Sequence, residues 1–348
     1  MDLREARRLF DPEPGWLNTA SYGLPPRPAW TALQEALDDW RHGRTSWEPW
    51  AEATERARAS FARLVGASPG DIAVSSAVSQ QVGLVAAALP AGARVLVPEM
   101  EFTSNLFPYY VQRERGVIVE TVPLADLLDR IDDRVDVVAL SVVQSATGEV
   151  TDLATVAARA RGAGARVVVD ATQAVGWHKI DVAHVDALVC AAYKWLCAPR
   201  GTSFCYLAQD LREQITPHAA GWYAGADVHA SYYGPEMKLA SDARRFDLSP
   251  AWHCWVGAAP ALELIEQVGV AAIGEYDVGL ANGFRAGLGL PPGDSAIVSL
   301  GADVIPHDAD QRPAEAGIRA AARAGSLRAS FHLYTTEADV DAAVEALS

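Results

Sequence analysis

Arg166-Val167-Val168-Val169-Asp170-Ala171-Thr172-Gln173-Ala174-Val175-Gly176 and, after a short gap, Asp186-Ala187-Leu188-Val189-Cys190-Ala191-Ala192-Tyr193-Lys194 decide the fold. Each stretch contains an apolar, β-branched run without polar alternation, as expected of a strand covered on both faces. Runs of the same kind stand at Ile72-Ala73-Val74, Arg94-Val95-Leu96-Val97, 117–122, 135–141 and Ser203-Phe204-Cys205-Tyr206-Leu207. Helical stretches at about 79–89, 104–115 and 152–163 separate several of them. This alternation predicts an α/β protein with a mainly parallel sheet covered by helices. Ligands in such sheets sit beyond the carboxyl ends of the strands, where Asp170 and Lys194 fall.

Those residue types define a chemistry. An acid, an amide and a lysine, each just past an apolar strand, suit pyridoxal 5′-phosphate (PLP). The lysine amine forms a Schiff base with the aldehyde, and a carboxylate keeps the ring nitrogen protonated so that the ring accepts electrons. Burial near other cations would favour the neutral amine that this reaction needs. The segment Val74-Ser75-Ser76-Ala77-Val78-Ser79-Gln80 reads as strand, small-residue turn and helix start, a site where free backbone N–H groups can receive an anion.

The bulk properties narrow the class. The chain has 348 residues, half of them apolar, and 44 acidic residues against 29 basic, for a net charge of −15. With no basic run, a nucleic-acid partner is not expected. Apolar runs fall far short of the roughly 18–20 residues of a membrane span, and Met1–Arg8 lacks the core of a secretory signal. The four cysteines form no CxxC pair and the histidines no HExxH pattern, so reduced thiols in a cytoplasmic protein and no metal are expected.

Beyond a helix at 258–268 the pattern changes to a Gly-rich stretch and the turn Pro291-Pro292-Gly293, with short strands near 296–300 and 326–331. A helix capped by Thr336 closes the chain. The expected division is an N-terminal segment (1–30) packing near the active site, a large domain (31–260) and a small α+β domain (261–348).

Asp170–Gly176 and Tyr193-Lys194-Trp195-Leu196, with Pro199-Arg200-Gly201, resemble the class V aminotransferase family. That group includes cysteine desulfurases, selenocysteine lyase, kynureninase and isopenicillin N epimerase-like proteins. The likeness runs from Leu17-Asn18-Thr19-Ala20 to the C-terminal helix. It implies a PLP enzyme of fold type I, working as a homodimer with its active site at the subunit interface. Lys194 would carry the coenzyme, Asp170 would pair with the pyridine nitrogen and Gln173 with the ring hydroxyl. Val78 and Ser79 would hold the phosphate, helped by Tyr193, and Phe102 would stack on the ring. Arg328 would grip the substrate α-carboxylate. Trp252 falls where a partner subunit supplies a phosphate contact. Gln144, Ser145 and Thr147 would border the coenzyme, and Trp47 and Trp50 would line a substrate channel.

Two departures matter. Desulfurases have a histidine at the ring-stacking position, whereas phenylalanine cannot move protons, which leaves Lys194 as the acid–base group. Desulfurases also need a cysteine shortly before the late arginine, and residues 301–330 contain none. The expected activity is therefore chemistry at Cα of an amino acid or amino-acid conjugate, as a C–S (β-elimination) lyase or an aminotransferase of secondary metabolism. Epimerisation and decarboxylation-dependent deamination are the alternatives, and a PLP-binding protein without activity is a third.

Overall fold

The computed structural model describes residues 1–301, 304 and 312–348. Seven strands form the main sheet: β1 (Ile72–Ser75), β2 (Arg94–Pro98), β3 (Ile118–Val122), β4 (Val137–Ser141), β5 (Arg166–Asp170), β6 (Ala187–Ala191) and β7 (Ser203–Leu207). Their order is β1-β7-β6-β5-β4-β2-β3. The pairs from β3 to β6 are all parallel, and β7 runs against both of its neighbours. Every residue of β4 and β6 is buried. Alternate residues point to opposite faces: Val138, Leu140, Val167, Val169 and Leu188 enter one apolar core, and Val137, Ala139, Val168, Ala187 and Val189 enter another. Helices close both cores, which is why these strands read as continuous apolar runs.

A second, antiparallel sheet has the order β8-β10-β9, from β8 (Ile297–Leu300), β9 (Ala321–Arg323) and β10 (Ser326–Ser330). Its own core gathers Phe284, Val298, Leu327, Phe331, Val340 and Leu347 around Leu17 from the N-terminal segment. Single bridges Trp16↔Arg319 and Asn18↔Ser330 tie that segment to this sheet. Thr336 caps the last helix, Glu337–Leu347, in a reciprocal box with Asp339.

Two readings need correction. The helix expected at 258–268 begins at Trp252, and the Gly-rich stretch after it is a second helix, Val270–Gly287, bent from the first by 84°. Glycine suits this helix because it packs closely. A Cβ at Gly274 would stand 2.2 Å from the Trp177 carbonyl oxygen, and one at Gly287 would stand 2.6 Å from Val344. No single helix among the described residues is long and apolar enough to cross a membrane.

Candidate active site

The register of the main sheet brings the acid and the lysine together. Asp170 ends β5 opposite Val189 of β6, and three residues after β6 comes Lys194. The two loops are stitched by Thr172, whose N–H donates to Asp170 Oδ1 at 2.8 Å and whose Oγ1 accepts the Ala191 N–H at 3.0 Å. Glycine permits the tight fit around the lysine. Gly176 has φ +118° and lies against the Trp195 carbonyl, and a Cβ at Gly23 would reach 1.8 Å from the Lys194 carbonyl oxygen.

Lys194 and Asp170 are both buried and line one cavity with Ser76, Ala77, Val78, Phe102, Gln173, Tyr193 and Arg200. The chain has three lysines, and Lys194 alone is buried; Lys179 and Lys238 are exposed. Burial pushes the Lys194 amine down to about 8; Asp170 works against that, and Arg328 and Arg323 reinforce it. Burial likewise raises the Asp170 carboxyl, opposed by its bonds to Thr172 and by Lys194. A cation seated against this carboxylate would hold it ionised.

At the other end of the cavity the helix Val78–Ala88 begins without a side-chain cap, its N-cap being Ala77. Its first N–H groups are thus left for an anion, and its dipole favours one. Val78 lines the cavity; Ser79, one residue further, is exposed and contributes no lining side chain. Phe102 forms one wall, its ring centroid 5.6 Å from Lys194 Nζ. Tyr193 stands beside it, with the Arg200 guanidinium 4.7 Å over its ring.

Gln173 is more committed than the sequence suggested. Its Nε2 donates to the Ala20 carbonyl and to Ser145 Oγ, each at 3.0 Å, and its Oε1 accepts from the Trp195 indole at 2.8 Å. Ser145 in turn accepts from Arg328 Nη1 through both Oγ and its carbonyl. Arg328 is buried, and burial together with Arg323 lowers its guanidinium to about 10. Gln144 bonds Glu101 instead of facing the cavity, and Thr147 lies exposed outside it.

Trp252, Trp47 and Trp50 do not line this cavity within the chain. Trp252 stacks on Trp47 at 5.6 Å between centroids, and Trp50 meets His253 at 4.7 Å. Two residues went unnoticed in the sequence. Arg200, in the Pro199-Arg200-Gly201 motif, adds a cation to the lining. Glu101 is buried, takes the N–H groups of Ser141 at 2.6 Å and Phe102 at 2.8 Å, and so fixes the Phe102 wall to the end of β4. The stretch 301–330, read as lacking a sulfur-accepting cysteine, lies partly outside the described residues.

These residues fit PLP in their donor chemistry: an amine for the aldehyde, a buried carboxylate for the ring nitrogen, an aromatic wall and an uncapped helix start for the phosphate. Fold and site together define a PLP-dependent enzyme of fold type I. The chain belongs to the aminotransferase class-V family, which it matches over residues 41–295. It is 29% identical over 261 residues to the uncharacterized aminotransferase YcbU of Bacillus subtilis, covering 72% of this chain and 68% of that protein. It is 27% identical to the isopenicillin N epimerase of Streptomyces clavuligerus, covering 99% of this chain and 98% of that one. The crystal structure of the cysteine desulfurase CsdA from Escherichia coli superposes with a TM-score of 0.85 at 24% identity, covering 99% and 97% of the two chains.

Proposed function

We propose that this enzyme is a C–S lyase that removes a sulfur-bearing group from Cβ of a cysteine conjugate. Bound in the cavity, PLP supplies the sink for electrons released at Cα. Asp170 would hold the ring nitrogen, Phe102 the ring face, and Val78 and Ser79 the phosphate through backbone N–H groups. Arg328 would hold the substrate α-carboxylate through its planar fork.

Lys194 Nζ is the base for the α-proton. Its amine, lowered to about 8, is substantially neutral just above physiological pH and can accept that proton. The observation that carries the reading is what the cavity lacks beside it. Among the described lining residues, Asp170 would be committed to the ring, Phe102 cannot ionise, and burial raises the Tyr193 hydroxyl above its ordinary range. Apart from the proton that Lys194 itself has taken, no acid stands ready to protonate a departing group. Sulfur leaves as a weakly basic anion and needs no such acid, whereas an amine or alcohol does. The sequence has no cysteine at 301–330, which argues against taking the sulfur onto the enzyme.

We further place the enzyme in the cytoplasm as a homodimer, with the Trp252 aromatic cluster turned toward the partner's site. Purified holoenzyme incubated with S-substituted cysteines should release pyruvate and ammonia. Accumulation of pyridoxamine phosphate without pyruvate would establish transamination and refute the lyase reading.

A further inference from the structure

Arg323 and Arg328 stand on one face of the small sheet. In the β9–β10 hairpin Arg323 pairs with Ser326 and Arg328 with Ala321, so the two arginines are diagonal neighbours. The connecting residues Ala324 and Gly325 both take positive φ, +47° and +78°. That is the tight two-residue turn whose first position ordinarily favours Asn, Asp or Gly. Both guanidiniums reach the same atom, Ser21 Oγ, from Arg323 Nη2 at 3.3 Å and from Arg328 Nη2 at 3.0 Å.

Two like charges have thus been brought onto one hydroxyl. Among the described residues their side-chain hydrogen bonds go to Ser21, Ser145 and the Ala322 carbonyl, and none goes to a carboxylate. Both arginines are near enough to Lys194 to help lower its amine, and Arg200 lines the cavity beside it, in a chain whose net charge is −15. Such a concentration of positive charge draws in anions. Arg328, buried and bonded to the Ser145 loop, suits the α-carboxylate. Arg323, exposed at the hairpin end, is then left without an anion from a simple amino acid.

We propose that Arg323 is a specificity residue for a second anionic group, carboxylate in size, on the distal part of the substrate. This rests on Arg328 binding the α-carboxylate, as set out above, and it restricts the substrate class to amino-acid conjugates with a second acid. A guanidinium–carboxylate pair gives a charge-assisted contact that an apolar or neutral side chain cannot replace.

The test uses PLP-loaded enzyme and reads binding from the change in coenzyme absorbance on titration. The probes are 2-aminoadipate and norleucine, which have the same chain length and differ in the terminal carboxylate. Wild type should bind 2-aminoadipate at least about tenfold more tightly. In Arg323→Gln that ratio should fall below about threefold, with Arg323→Lys between the two because it keeps the charge and loses the fork. A wild-type ratio near one, or a ratio unchanged in Arg323→Gln, would overturn the proposal. So would silence from both probes if S-carboxymethylcysteine and S-methylcysteine also bind equally. Neither of the first two probes contains a C–S bond, so a failure of the lyase reading, seen as no pyruvate from cysteine conjugates, is read separately.

Discussion

Replacing Lys194 with methionine should stabilise the coenzyme-free protein at neutral pH, and the size follows from the burial of the amine. Lys194 is 7% exposed. Its amine falls from 10.5 to about 8, chiefly through burial, against the attraction of Asp170. Such a displacement corresponds to about 3 kcal/mol between the charged and neutral forms. Between those two values the unfolded chain binds more protons than the folded one, so wild-type stability rises with pH across that window. The penalty is full below pH 8 and gone above pH 10.5. Methionine has a similar shape and no charge, so Lys194→Met gains about 3 kcal/mol at pH 7, roughly 4 °C in thermal midpoint for a chain of this length. Loss of the lysine leaves Asp170 without that attraction, but burial already favours its protonated form, which limits the offset. Thermal melts of both apoproteins from pH 6 to 11 measure the effect. A variant no more stable than wild type at pH 7, or a gain that persists undiminished at pH 11, would refute the reasoning.

Asp170→Asn should cut turnover by at least about a hundredfold, because a neutral amide cannot hold the ring nitrogen protonated; steady-state kinetics with near-normal kcat would contradict this. Phe102→Ala should weaken PLP binding by roughly tenfold through loss of one wall, read by titrating the apoenzyme. His332 and Asp277, both fully buried, pair at 2.8 Å, and His332 Nε2 meets the Trp195 carbonyl at 3.0 Å. Burial opposes the imidazolium, but Asp277 overrides it and pushes the group above its ordinary range. His332→Phe leaves a buried carboxylate alone and should cost about 3–5 kcal/mol, more than the roughly 1–3 kcal/mol of Asp277→Asn. Urea midpoints in the reverse order would refute that ranking.

The parts of this fold that were legible in the sequence are those decided locally. Valine-rich runs at 94–97, 135–141 and 166–170 lie inside a sheet covered on both faces, and their composition says so. Asp170 was legible because it closes such a run, and Lys194 because it comes three residues after the apolar strand Ala187–Ala191. Strand order and the reversed direction of β7 depend on contacts between distant segments, and β9 has only three residues to signal it. The helix 270–287 was obscured because glycines lower helix propensity, while their reason for being there, close approach to Trp177 and Val344, is tertiary. Glu101 and Arg323 matter through Ser141 and Ser21, partners 40 and 302 positions away, which no local pattern encodes.

The most direct test of the account is to locate the covalent bond to the coenzyme. Holoenzyme reduced with borohydride and digested should yield a single phosphopyridoxyl-bearing peptide, the one containing Lys194. Label on Lys179 or Lys238, or no label with the coenzyme washed free, would contradict it.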